Sequence, residues 1–240
     1  MHDLDSFTSQ YLPNAITEVE NDLILKWYPK RIVARLKPQG GSLLELGLGH
    51  GFTASIFNKY FSKHVIIEGS QVVIDLFNQR KPDFPASVVK DFFETFESNE
   101  LFDCIIMGFI LEHVDDPDFL LERYKKYLKS DGVIYIAVPN AKSLNRRLGF
   151  ELGMIEDIYS MNSNDLSLGH KRQFCRDTLH DLVNRHGYTI THEEGIYLKP
   201  LPLSTLKTLP DFRANLEAML RVGIGFPDLC VAILIEVRLS

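Results

Sequence analysis

From Ser42 to Val138 the chain repeats one rhythm, a short apolar run followed by an amphipathic stretch. The runs are SLLEL (42–46), HVIIE (64–68), SVV (87–89), FDCIIM (102–107) and GVIYIAV (132–138). Helix-like stretches lie near 52–60, 70–79 and 117–128. Strands apolar on both faces, alternating with helices, predict a parallel sheet covered on both sides. Ser70 is placed to cap the second helix, with Val73, Leu76 and Phe77 turned inward. Ahead of this array, Ile16, Val19, Leu23 and Trp27 share one helical face over 14–28, and Pro29 is expected to end or restart that helix.

The rhythm breaks after Asn140. Residues 141–170 carry few apolar alternations and several Ser and Asn residues; they read as an insertion over a site, with a short helix near 142–148. A helix over 176–186 with Gly187 at its C′ position follows, then a strand over 187–198, a helical or mixed stretch over 204–221 and a last strand over 231–237. No internal repeat, low-complexity tract or dividing linker is evident. One domain over 1–240 is therefore expected, with 1–40 as an N-terminal helical cap and 141–170 as a lid.

Charge and cysteines narrow the function. A net charge of -6 gives little electrostatic help with nucleic acid or an anionic membrane, so neither is an expected partner. Cys104, Cys175 and Cys230 are far apart, with no CxxC, as suits thiols in a reducing cytosol. The acidic start MHDLDSF has no signal-peptide character, and no apolar run reaches the ~18 residues of a membrane span. A cytoplasmic protein is expected.

The chemistry begins in LLELGLGHGFT (43–53), a buried strand running into Gly47, Gly49 and Gly51 and then a helix. Glycines there let the backbone turn tightly and approach a ligand. Dinucleotide folds favour GxGxxG, which seats a pyrophosphate on the helix N-terminus. Here the pattern is ExGxGxG, led by Glu45. An acidic group beside such a loop suits a cationic ligand without phosphate, such as S-adenosylmethionine. The second apolar run ends in Glu68, 21 positions after Gly47, close to the ~20-residue offset of a ribose-binding acid. Packing glycines and a solvated strand-end Glu are the bland alternatives.

These ordered motifs resemble the class I S-adenosylmethionine-dependent methyltransferases over roughly residues 40–200. ELGLGHG (45–51) is similar to their first motif, and the resemblance implies cofactor contacts from Glu45, Gly47, Gly49, His50 and Gly51, with Glu68 and Gly69 at the ribose. KDFFETF (90–96) is similar to their third-strand motif, implying Asp91 and Phe92 beside the adenine. FDCIIMGFILEHVDDP (102–117) is similar to the fourth strand and its loop, implying Met107, Gly108 and Phe109 along the methionine portion. The implied fold is a Rossmann-like, doubly wound α/β sheet of seven strands ordered 3-2-1-4-5-7-6, the last strand antiparallel. LEHVDDP (111–117), VPN (138–140), GHKRQF (169–174) and GIYLKPLP (195–202) look like small-molecule enzymes of the ubiquinone-biosynthesis and polysaccharide or nucleotide-sugar types. NAKSLNRRLG (140–149) leans toward the latter.

The expected partner is thus a small-molecule acceptor, with its nature, the oligomeric state and the pathway open. His113 follows the fourth strand and is the candidate general base; packing under the fifth strand is its structural alternative. Glu112 and His113 are also metal-ligand types, but no third ligand is evident in the spacing, so no metal is expected. His170 and Arg172 border the expected lid and are candidate acceptor contacts, as is Asn140. Tyr11, Trp27 and Tyr28 would cover the cofactor if the N-terminal helix folds over the site, although Trp27 also suits the core. A nicotinamide-dependent oxidoreductase and a non-catalytic cofactor-binding relative remain alternative readings.

Overall fold

The structure, a computed structural model, describes residues 18–36, 40–80, 84 and 87–240. Tyr11 lies outside these. The strands are β1 (Ser42–Leu46), β2 (Lys63–Glu68), β3 (Ser87–Lys90), β4 (Phe102–Gly108), β5 (Leu128–Pro139), β6 (Tyr188–Ile196) and β7 (Ala232–Leu239). Among the described residues they form one sheet in the order β3-β2-β1-β4-β5-β7-β6. β7 runs antiparallel to both β5 and β6, while β1 to β5 pair in parallel. Order and direction are those expected.

The apolar runs work because successive residues of a strand face opposite layers. Leu44, Leu46, Ile105, Met107, Ile134, Ile136 and Val138 face one layer. There they meet Leu120, Leu121 and Tyr124 of α4 (Pro117–Tyr124), and Leu179, Leu182 and Val183 of α7 (Arg176–Arg185). Leu43, Cys104, Ile106, Tyr135 and Leu234 face the other layer. They meet Tyr28 and Ile32 of α1 (Glu18–Arg35) and Leu216 and Leu220 of α9 (Phe212–Gly223). All three cysteines are free and buried. Burying about 25 cal/mol for each Å² of apolar surface in two layers is what holds such a sheet together.

Pro29 departs from expectation: α1 continues through it to Arg35. Proline in a helix removes one backbone hydrogen bond and crowds the preceding turn. Tertiary contacts offset that cost, because Tyr28, Pro29 and Ile32 are all buried. Arg31 makes a two-pronged pair with the buried Glu194 of β6 at 2.8 and 2.9 Å, and Arg35 meets Glu236 of β7 at 3.0 Å. The N-terminal helix is thereby tied to the far half of the sheet.

The other helices are α2 (Phe52–Phe57), α3 (Gln71–Gln79), α5 (Leu144–Glu151), α6 (Ser163–Ser167) and α8 (Leu203–Leu206). Ser70 caps α3 as expected, its hydroxyl accepting from Val73 N at 3.2 Å. Gly187 follows α7 with φ of 70°, as suits its C′ position. No helix among the described residues is long and apolar enough to cross a membrane. The chain winds outward from β1 to β3 and then returns to β4 beside β1. That reversal opens a crevice beyond the C-terminal ends of β1 and β4, the usual ligand position in such sheets.

Candidate active site

The β1 exit is shaped by Gly47, Gly49 and Gly51, with φ of 83°, 49° and 74°. L-residues with side chains rarely adopt these values. A Cβ on Gly47 would lie 2.9 Å from Ile110 Cδ1, and one on Gly51 would lie 2.7 Å from Phe77 Cδ2. At Gly47 and Gly51 a left-handed backbone thus coincides with neighbours that would crowd a Cβ.

Glu68 at the β2 exit reaches this loop. Its Oε2 accepts from Leu48 N at 3.0 Å and its Oε1 from Ser70 N at 2.8 Å. The N–H groups of Gly49 and Gly69 also act on the carboxylate. Burial raises the Glu68 pKa against these stabilising donors. Backbone N–H groups of Leu48, Gly49, Gly69 and Ser70 converge on one carboxylate, an acceptor-only group when ionised. Glu68 thus joins two strand exits and remains chemically suited to a ribose diol.

Glu45 has a different surrounding from the one the sequence suggested. Its carboxylate is buried, and Oε2 lies 2.8 Å from His64 Nε2 on the neighbouring strand. His50 stacks on Phe52 at 5.5 Å, while its carbonyl accepts from Arg80 at 2.7 Å. Asp91 and Phe92 follow β3, next to the β2 exit, where Asp91 N donates to Glu68 O at 3.2 Å. Asp91 Oδ1 accepts from Phe92 N at 2.8 Å and Thr95 Oγ1 at 2.5 Å, which orders the turn.

At the β4 exit, the Met107 side chain lies wholly in the core, so only its backbone can line the crevice. Gly108 is covered by Tyr28: a Cβ there would be 2.3 Å from the phenol oxygen. Tyr28 also packs edge-on against Phe109, with ring centroids 5.6 Å apart. Phe109 holds φ at 59°, an uncommon value for a bulky residue, with its N–H donating to Ala137 O at 2.8 Å. Strain of this kind clusters at functional sites. Helix α1 therefore brings Tyr28, but not the core-packed Trp27, to the end of β4.

The loop after β4 carries Glu112 and His113, and the fold brings His170 to them from 57 positions away. The His113 and His170 rings meet edge to face with centroids 4.8 Å apart. Lys171 N donates to Glu112 O at 2.8 Å, closing the two segments together. Burial lifts the Glu112 carboxyl to about 7. Burial, then the charge of His170, pushes His113 down to about 4, so its imidazole is neutral at pH 7. The sequence spacing showed no third ligand beside Glu112 and His113; the fold supplies one.

Arg172 and Asn140 hold backbone. The Arg172 guanidinium donates to Leu111 O and Asp115 O at 2.8 Å each, and also to Val114 O. The buried Asn140 amide donates to Cys230 O at 2.9 Å and Asp228 O at 3.1 Å, while its Oδ1 accepts from Lys142 N at 2.9 Å. Both side chains are spent on fixing the segments that flank the crevice. In the 141–170 stretch, Arg146 ties α5 to Ile158 O at 2.7 Å and Ser160 O at 2.6 Å. Leu148, Phe150, Leu152, Met154 and Leu166 remain exposed there. The partnership of Glu45 with His64 had no sequence signal, because it depends on the register of β1 against β2, whereas the approach of Tyr28 to Gly108 realises the cover expected of an N-terminal helix folded over the site.

Residues 22–193 match the family model described as a methyltransferase domain. No curated protein matches the chain by sequence. Several solved structures share the fold. An S-adenosylmethionine-dependent methyltransferase from Mesorhizobium loti is 14% identical, with a TM-score of 0.61 over 89% of this chain and 97% of that one. One from Thermotoga maritima, described as a possible histamine N-methyltransferase, is 18% identical, with a TM-score of 0.62 over 93% of each chain. The plantazolicin methyltransferase BpumL, in complex with S-adenosylhomocysteine, is 18% identical, with a TM-score of 0.59 over 98% of this chain and 90% of that one. The family match spans most of the chain and the sheet has the order the motifs implied, so this chain belongs to the methyltransferase-domain family, as a class I S-adenosylmethionine-dependent methyltransferase.

Proposed function

We propose that the chain transfers a methyl group from S-adenosylmethionine to a small-molecule acceptor at the crevice between the β1 and β4 exits. The observation that carries this reading is Glu68, a buried carboxylate held by loop N–H groups at the exit of β2, beside the glycine loop that leaves β1. When bound, S-adenosylmethionine supplies an activated methyl on a sulfonium. Glu68 would hold the ribose, with the Gly69 backbone beside it. Gly47, Gly49, His50 and Gly51 would form the loop wall, while the backbone of Met107 and Gly108 with Phe109 would line the opposite wall. Asp91 and Phe92 would border the adenine, and the buried Glu45, held by His64, would support the loop from beneath.

His113 is assigned to the acceptor, because it follows the β4 exit and offers a neutral ring at pH 7. His170 stands beside it. Arg172 and Asn140 position the flanking segments instead of touching the acceptor. Residues 141–170 act as the lid, and their exposed apolar side chains would face an acceptor or exclude water from it. Holding both reactants in line in a dry site accounts for much of the acceleration such enzymes need.

The test is a panel of hydroxyl and amine metabolites, including sugars and nucleotide sugars, incubated with methyl-labelled S-adenosylmethionine. Label should move to a small molecule with one S-adenosylhomocysteine formed per methyl transferred. Transfer only to protein or nucleic acid would refute the small-molecule reading.

A further inference from the structure

We propose that Glu112, His113 and His170 form a divalent-cation site at the acceptor end of the crevice. One ligand atom from each residue lies within 4.8 Å of those of the other two. Ligand bonds to such ions are about 2.0–2.2 Å, so modest side-chain rotation closes this span onto one ion. Two imidazoles and one carboxylate suit zinc, manganese, cobalt or ferrous iron better than the all-oxygen preferences of magnesium or calcium.

The second observation is the state of Glu112. Its side chain is 1% exposed, and neither oxygen has a hydrogen-bond partner. A carboxyl group removed from water takes up a proton unless it is paired or metal-bound, and an ion bound here would hold it as the carboxylate. The charge of Arg172 reaches Glu112, but its guanidinium hydrogen bonds go to the carbonyls of the 111–115 loop, and Lys171 pairs with Asp115. A cation provides the partner that Glu112 lacks.

Groups that orient metal-bound imidazoles are also present. His113 interacts through its ring with the Gly169 backbone, and Asp165 Oδ1 stands 3.4 Å from His170 Nδ1. Carbonyl and carboxylate partners of this kind fix the tautomer of ligating histidines. Three protein ligands leave coordination positions open, the pattern of a site that receives a further molecule. The role of the ion rests on the methyl-transfer reading: it would take the acceptor through oxygen and make a hydroxyl easier to deprotonate. Its binding does not depend on that reading.

The experiment uses the full chain, stripped with chelator and titrated with Co²⁺ and Zn²⁺. Calorimetry gives the stoichiometry, and visible absorption reports the Co²⁺ environment. One saturable ion per chain is expected, with nitrogen-ligated d–d bands displaced by Zn²⁺. Glu112→Gln and His170→Ala should each weaken binding by at least the ~100-fold that loss of an orienting partner can cost. Asp165→Asn, which removes no proposed ligand, should weaken it by ~10–100-fold and serves if the other variants do not fold. S-Adenosylhomocysteine binding, measured in the same samples, tests the cofactor reading separately. No saturable ion in the wild type would overturn the site. Equal binding in all three variants would assign the ion to surface histidines and would also overturn it.

Discussion

Glu68→Ala separates two roles that the structure assigns to one carboxylate. In the free protein, Glu68 accepts from Leu48 N at 3.0 Å and Ser70 N at 2.8 Å. The Leu48 and Ser70 donors belong to buried residues, and alanine takes the carboxylate acceptor away from both N–H groups. Each stranded donor costs about 1–3 kcal/mol, and water entering the crevice offsets part of this, so a stability loss of about 2–4 kcal/mol is expected. In the complex, the variant also loses hydrogen bonds from the ribose hydroxyls to a charged acceptor. That loss should be about 1.5–3 kcal/mol, or roughly 10–150-fold in Kd. Thermal denaturation without ligand measures the first quantity. Calorimetry with S-adenosylhomocysteine, below the onset of unfolding, measures the second. A well-folded variant with wild-type affinity would show that Glu68 is only a clamp between strand exits and that the ribose binds elsewhere.

The same residue sets a pH dependence. Burial raises its pKa, so affinity for S-adenosylhomocysteine should begin to fall above the ordinary carboxylate range as pH decreases, and Glu68→Gln should flatten that dependence. The contribution of Glu68 to stability has the opposite sign. A raised folded pKa favours the protonated form, so this contribution is present at low pH and is lost as pH rises through the folded pKa. Gly108→Ala, whose Cβ would fall 2.3 Å from the Tyr28 hydroxyl, should cost about 1–3 kcal/mol, and Tyr28→Phe should recover part of this in a double-mutant cycle of melting temperatures. Asn140→Ala strands the Lys142 N–H and takes the amide donor from the Pro227 and Cys230 carbonyls, while Asp228 O keeps Arg147, so it should lower stability by about 2–4 kcal/mol with little change in acceptor KM; a large KM change at full stability would return Asn140 to the acceptor. Hydrogen exchange in 141–170 should slow when cofactor and acceptor bind together, and identical exchange in free and bound protein would refute the lid.

Local regularities made the fold legible in the sequence. Doubly apolar strands such as SLLEL and GVIYIAV, the Ser70 cap and the glycine after α7 each act within a few residues, and all appear as read. Pro29 failed as a helix stop because its cost is met through contacts with elements far along the chain, including Glu194 and Glu236. The same limit applies at the site. Gly47, Gly51 and Glu68 are recognisable from spacing because one strand–loop–helix unit and its neighbour fix their positions. The meeting of Glu112 and His113 with His170 is set by the return of the chain beside β5, where Asn140 bridges to Phe174. Arg172 read as an acceptor contact from its place beside the expected lid, whereas its three backbone acceptors depend on the conformation of the 111–115 loop.

The most direct test of the central claim is calorimetric titration of the purified chain with S-adenosylmethionine, S-adenosylhomocysteine and NAD, repeated with Glu68→Ala. The account predicts one site for each sulfur nucleoside, no heat from NAD, and weakening of both sulfur nucleosides by the substitution. Saturable NAD binding, with no heat from either sulfur nucleoside, would contradict it.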